Sequence, residues 1–412
     1  MVKRFAISWG RVLLPATCLG MVFAMAATVS PQSQTLNITL AGQSMIRADI
    51  RVNTPTAVAT ISPFLKGDVI FTNFEAAVIE KDQSTHDGRF LSPPEALDAL
   101  KALGFNLLAL SDNHSFDLKV PGIQNTLREV TSRNIAHAGI GNTLGEASAP
   151  GYLHTPKGTV ALVAMASGLI AEGALATATQ PGVNELRIEA GGQPNESTIL
   201  LPAAPGNEPN PNDKQRILQS IREAHKRADL VVVYEHNHVF LNRPFGTILL
   251  EELPERLGPA DWLKKWTHEE VDAGADIIVM HGMPLIHGVE IYHDRPIFYD
   301  LGNFIFNVPP VDVQLDEPII WESVVAHVEF QGRTLQSITF QPVAMNKIGR
   351  GQPDTQDEHT NNLFLQTRGL PTPATGEQAS YILQRLADAS RPFGTIVVLK
   401  GDTAEVMLKR RN

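Results

Sequence analysis

Leu230-Val231-Val232-Val233-Tyr234-Glu235-His236-Asn237-His238 is an uninterrupted apolar run that ends in four polar residues. A continuous Val/Leu run of this length reads as a strand covered on both faces. Four other runs end the same way. Asn37 to Ala41 enters Gly42-Gln43-Ser44, and Asp68 to Thr72 enters Asn73-Phe74-Glu75. Asn106 to Leu110 enters Ser111-Asp112-Asn113-His114, and Asp276 to Met280 enters His281-Gly282, with His287 close behind. Thr159 to Ala164 is a further strand. Helices are expected between these strands, over Pro94 to Leu103, Pro121 to Arg133, Asn212 to Arg227 and Pro259 to Ala273. Strand–helix alternation of this kind specifies a layered α/β core.

Beyond Val289 the pattern becomes antiparallel. Val289 to Tyr292 and Pro296 to Tyr299 flank His293-Asp294-Arg295 as a hairpin. Trp321 to Phe330 and Leu335 to Val343 form a second pair across Gln331-Gly332-Arg333. Pro202 to Asp213 and Gly349 to Glu358 read as loops. The tail carries a helix, Glu377 to Ala389, and strands at Thr395 to Lys400 and Ala404 to Leu408.

The N-terminus sets the expected compartment. Lys3, Arg4 and Arg11 precede the apolar stretch Val12 to Ala27, and Ala24-Met25-Ala26 offers small residues for cleavage. These features define a secretory signal peptide over residues 1–26, with a retained N-terminal anchor as the alternative. The stretch is short beside the roughly 20 residues a bilayer requires. Cys18 is the only cysteine, and cleavage after Ala26 leaves 386 residues with none. Disulfides and thiolate metal sites are then excluded, so a metal must be held by His, Asn, Gln, Asp or Glu. Removing Lys3, Arg4 and Arg11 moves the formal charge from −10 to −13. An acidic chain with no basic stripe is a poor binder of nucleic acid.

In open α/β sheets ligands bind beyond the carboxyl ends of strands. Gln43, Glu75, Asn113, His114, His236, His238, His281 and His287 all stand at or near such ends. Each has a plainer reading. Gln43 alone suits a turn, Glu75 the acidic first turn of a helix, and Asn113-His114-Ser115 a capping turn. His236 and His238 share a face if their strand continues, which suits two ligands or a ligand and its supporting donor. No Walker loop, Gly-x-Ser-x-Gly elbow or dinucleotide fingerprint is present.

Several stretches carry a specific resemblance. Gly67 to Glu75, Leu108 to Asp117, Ile135 to Ala147, Asp229 to His236, Gly288 to Tyr292 and Arg295 to Phe304 occur in order. They resemble the motifs of the CapA family, named for poly-γ-glutamate capsule biosynthesis, whose fold is similar to that of calcineurin-like metallophosphoesterases. The resemblance implies a layered α/β/β/α sandwich with mixed sheets over residues 36–345. A linker and a small C-terminal α+β extension would occupy residues 346–412. It also implies a divalent metal ion (Mn, Zn, Fe or Mg) held among His236, His238, His281, His287, Glu75 and Asn113. His114, Asn113 and Glu75 would carry catalysis, with Gln43 and Asn303 as further site residues. Many relatives have Asp where Gln43 stands, and His-Pro-His where Gly282-Met283-Pro284 stands, so the chain resembles a divergent subgroup.

Two functions follow as expectations. One is an exported, periplasmic or extracellular hydrolase that uses metal-activated water on a phosphoester or an envelope-polymer linkage. The other is a non-catalytic factor that binds an anionic envelope polymer, alongside membrane-associated polymer synthesis machinery. No nucleic-acid partner is expected.

Overall fold

The strand Leu230–Asn237 explains the architecture by its parity. Leu230, Val232 and Tyr234 enter one apolar core, and Val231 and Val233 enter another. The strand is therefore covered on both sides, as its unbroken apolar run requires. The computed structural model describes residues 1–2, 34–81, 89–189, 207–239, 258–308, 317–352 and 363–409. Gln34–Asn412 forms one compact unit. The expected signal segment, with Cys18, lies outside the described residues apart from Met1 and Val2. Parts of the two expected loops, 202–213 and 349–358, also lie outside them.

Two large mixed sheets face each other. The first contains nine strands, with Thr35–Leu40, Val69–Asn73, Leu107–Ala109 and Ala136–Ala138 paired in parallel. On its other flank run the antiparallel strands Glu322–Gln331 and Thr334–Met345. The second sheet contains six strands. Its centre is Gly158–Ser167, Leu230–Asn237 and Ile277–His281, all parallel. The hairpin Val289–Tyr292 and Arg295–Phe298 closes one edge, and Gly151–Thr155 closes the other.

Three apolar cores separate four layers. Leu36, Ile38, Val69 and Phe71 of the first sheet meet Val232, Tyr234 and Val279 of the second in the central core. Helices Glu95–Leu103 and Lys119–Ser132 cover the outer face of the nine-stranded sheet through Leu97, Leu100, Ile123 and Val130. Helices Pro211–Arg227 and Asp261–Ala273 cover the six-stranded sheet through Ile217, Ile221, Leu263 and Trp266. The result is an α/β/β/α sandwich.

Local chemistry sets the helix ends. Asn210 caps Pro211–Arg227 by accepting from the Asn212 and Asp213 amides, and His225, Lys226 and Arg227 occupy the last turn beside its negative pole. Gly104, at φ 110°, ends Glu95–Leu103 in a left-handed cap. The tail packs onto the sandwich. Strands Thr403–Val406 and Val397–Lys400 extend the nine-stranded sheet beyond Thr334–Met345. Helix Gly376–Ser390 places Ile382, Leu383 and Leu386 in the central core. Among the described residues no helix is long and apolar enough to cross a membrane.

Candidate metal centre

The parity that sorts apolar residues between cores also aims the polar ends. In Leu230–Asn237 the even positions face the other sheet, so His236 follows Tyr234 into the space between the sheets. Ile277 and Val279 face inward, so His281 does as well. Val69 and Phe71 face inward, and Asn73 continues that row. Both sheets thus deliver polar side chains to one mouth of the sandwich, at the carboxyl ends of the parallel strands.

Four donor atoms converge there. His236 Nε2 lies 2.9 Å from Asn113 Oδ1, 3.0 Å from His238 Nε2 and 3.6 Å from Glu75 Oε1. Glu75, His236 and His238 each offer a ligand atom within 4.8 Å of the others, and they form the one such group among the described residues. A tetrahedral ion with bonds of 2.0–2.1 Å has ligand–ligand edges of about 3.3 Å. The spacings bracket that value, and the neutral-imidazole-plus-carboxylate donor set suits a divalent ion. These residues therefore fit a metal.

The electrostatics agree with that fit. Burial pushes the Glu75 carboxyl up to about 7, against the opposing charge of His114 and the hydrogen bond from Asn73 Nδ2. Burial lowers His238 to about 3, with a further push from the charge of His114. His236 falls well below its ordinary value through burial and the neighbouring His238, His281 and His114. Imidazoles that resist protonation keep a lone pair for a metal near neutral pH. Tyr234 OH lies 3.0 Å from His236 Nδ1 and holds the ring from behind.

His114 is set apart from this group. Its Nδ1–H donates to Asp117 Oδ2 at 3.0 Å, and its ring packs 5.4 Å from that of Phe90. Burial works to lower its pKa, but the hydrogen bond and charge of Asp117, with the charge of Glu75, outweigh it and raise the value. The side chain keeps 28% of its exposure, so its free edge is reachable. Asp112 Oδ1 accepts the His114 backbone N–H at 2.8 Å and fixes the turn.

A cavity of about 140 Å³ opens on the centre. Gln43, Glu75, Asn113, His114 and His238 are its polar lining residues. Met45, Leu169, Pro284, Phe306 and Val308 are its apolar lining. Gln43 Oε1 accepts the Gly282 N–H at 3.3 Å, which ties it to the turn after His281. Gly282 has φ +118°, and a Cβ there would meet Asn237 O at 2.3 Å, so only glycine fits.

The remaining expected residues are placed differently. His281 donates Nδ1–H to Asn73 Oδ1 at 3.2 Å and is linked to Glu75 through Asn73. Burial takes it to about 3, against the pull of the Ala41 carbonyl. It stands beside the converging group and is not part of it. His287 is buried, with its backbone N–H on Asp300 O at 3.0 Å, and lies outside that group. Asn303 pairs with Gln43 in strand register, but its amide donates to Ile320 O at 2.8 Å.

Sequence reasoning missed Asn73, Tyr234 and Leu169 as individual contributors. Asn73 accepts from Ser44 N–H and His281 and donates to Glu75. It lies in the quoted Asn-Phe-Glu stretch, where its inward parity was available as a signal. Tyr234 shares the two-residue period of His236 and His238. Leu169 carries no sequence signal.

Comparison with known proteins agrees with the family resemblance. The family described as bacterial capsule synthesis protein PGA_cap matches residues 37–308. A Sinorhizobium fredii (strain NBRC 101917 / NGR234) protein, "Uncharacterized protein y4sH", is 28% identical over 81% of this chain and 84% of its own length. "Capsule biosynthesis protein CapA" of Bacillus anthracis is 26% identical over 72% of this chain and 66% of its own length. "PGA biosynthesis protein CapA" of Bacillus subtilis (strain 168) is 27% identical over 59% and 54%, respectively.

Proposed function

Because the chain belongs to the PGA_cap family of bacterial capsule synthesis proteins, we propose that it acts in capsule or envelope-polymer synthesis as an exported, divalent-metal-dependent hydrolase. The bond cleaved is a phosphoester or a linkage of the polymer itself. One observation carries this reading: Asn113, Glu75 and His238 approach His236 Nε2 within 2.9–3.6 Å, and those three line a cavity together with His114.

Glu75, His236 and His238, with Asn113 Oδ1, would hold the ion. A bound divalent ion supplies Lewis acidity and acidifies water. Its mixed nitrogen and oxygen donors favour Zn, Mn or Fe over Mg, which prefers oxygen. His114 moves the proton. Its Nδ1 is committed to Asp117, so Nε2 is the exchanging atom, and the raised pKa keeps a proton there for a leaving group near neutral pH. Asn113 precedes His114 in sequence, and its Oδ1 lies 2.9 Å from His236 Nε2. Gln43 holds the Gly282 turn at the cavity wall.

A second reading, a binding factor for an anionic polymer without turnover, is favoured by one observation. Glu75 is the single carboxylate in the converging group, and Gln43, which lines the same cavity, adds no charge. A site with one acid holds two dications poorly.

Purified protein should be assayed for bound metal, then for turnover of phosphomonoesters, phosphodiesters and γ-glutamyl polymers with and without added Mn²⁺ or Zn²⁺. The hydrolase reading expects metal-dependent turnover, abolished by chelation and lowered about 10²–10⁴-fold by His114→Ala, the usual contribution of a general acid. Bound polymer with no turnover on any substrate and no bound metal would leave the binding factor standing instead.

A further inference from the structure

Leu169 has a backbone φ of +52°, immediately after Gly168 at +73°. The other described non-glycine residues at positive φ are Lys119, Asn134, His293 and Asp294. Leucine is the apolar exception, because its Cβ crowds the backbone in that region and no side-chain polar group compensates. A strained backbone persists only where its surroundings enforce it, and such positions gather at ligand sites.

The surroundings here are explicit. Ser167 O accepts the His238 N–H at 2.7 Å, and a Cβ on Gly168 would sit 2.8 Å from His238 C. The turn is therefore clamped against one of the converging histidines. On its far side Ile170 is buried in the core under the helices. Ala166 and Ile170 both enter that core, and between them the Gly168-Leu169 turn leaves Leu169 lining the cavity. Leu169 is half-buried there, facing the same space as Met45, Pro284, Phe306 and Val308.

We propose that Leu169 is a specificity-determining residue. With those four neighbours it forms a subsite for a short aliphatic segment that adjoins the group presented to Glu75, His236 and His238. The proposal rests on the metal-site reading given above and narrows its substrate class. A dry cavity of about 150 Å³ holds one benzene, so 140 Å³ takes roughly six non-hydrogen atoms in all, shared between the reacting group and the segment beside it. The substrate is then a linkage flanked by a few methylenes. A nucleoside is too large to be enclosed.

The test uses Mn²⁺-loaded protein and a series of n-alkyl phosphonates from methyl to decyl, with affinity read by calorimetry. The phosphonate head is constant, so chain length reports the subsite alone. Wild type should gain about fourfold in affinity per methylene, the burial value for one CH₂, and stop gaining after about two to four carbons, once the head and chain together fill the cavity. Leu169→Asn suits the left-handed backbone but presents an amide, so the series should flatten. Leu169→Gly relieves the backbone and removes the wall, so melting temperature should hold or rise while longer chains are accepted. A merely structural leucine predicts the reverse: lower melting temperature in both variants and an unchanged chain-length series. That result, or a flat series in wild type, overturns the proposal while the metal reading survives. Ion binding without binding of any phosphonate does the same. A protein that binds no ion overturns the metal reading, and the subsite with it.

Discussion

Replacing Tyr234 with Phe tests whether the centre is a metal site supported from behind. Tyr234 is fully buried, and its hydroxyl lies 3.0 Å from His236 Nδ1. Its ring packs 5.6 Å from Phe71 and 5.3 Å from His281. Phenylalanine keeps both ring contacts, so the substitution removes one oxygen and leaves the packing. In the metal-free protein the hydroxyl donates to Nδ1 while His236 Nε2–H faces Asn113 Oδ1 or His238. With an ion at Nε2 the proton moves to Nδ1, and the same hydroxyl accepts it. One group serves both states, and burial denies water the chance to replace it. Leaving Nδ1 unsatisfied costs about 1–3 kcal/mol in stability. Loss of the supporting partner of a metal-bound histidine weakens the ion by about 10–100-fold, or roughly 1.4–2.7 kcal/mol. Titration calorimetry with Zn²⁺ or Mn²⁺, beside urea denaturation of the metal-free protein, measures both. Tyr234→Phe binding its ion as tightly as wild type would refute the role given to His236.

Three further outcomes are expected. Glu75 has a folded pKa of about 7 against 4.5 as a free side chain, so the metal-free fold holds this proton more tightly than the unfolded chain. Its stabilisation is complete below pH 4.5 and is lost as pH rises through 7. Relative to Glu75→Gln, wild type should therefore lose about 3 kcal/mol across that window. The paired comparison cancels the opposite trend from His236, His238 and His281, and an unchanged difference across the window would remove the buried-carboxylate account. Gly282→Ala should lower the unfolding free energy by about 1–3 kcal/mol, read from urea denaturation, because its Cβ meets Asn237 O at 2.3 Å; full stability in this variant would mean the turn is looser than described. Protein recovered from outside the cytoplasm should begin near Ala27 on N-terminal sequencing, and an intact Met1 on membrane-bound protein would exclude cleavage.

The layers were legible in the sequence because covered strands leave unbroken apolar runs, and the short, β-branched runs Leu230 to Tyr234 and Asp276 to Met280 favour a strand over a buried helix. Glu75, Asn113, His236 and His238 were legible because each follows such a run directly. What the sequence withheld depends on pairing between distant segments. Asn303 lies beside Gln43 through a two-stranded parallel ladder, yet its amide is turned to Ile320, a choice made by local packing. His287 follows His281 by six positions and still falls outside the group, because its segment is fastened to Asp300. Leu169 is visible only through a backbone angle, which no residue pattern encodes.

The seam between the two sheets has a temporal consequence. Glu75 and Asn113 rise from the nine-stranded layer, and His236, His238 and His281 from the six-stranded one. The contact from Asn113 to His236 spans 123 positions of chain, and that from Asn73 to His281 spans 208. Closures this long are among the slowest steps of folding. Neither layer holds the full donor set, so an ion seated at Glu75, His236 and His238 would have its complete coordination only once the two layers have docked. It would then tie the layers together, and its affinity would report how much of the seam has closed.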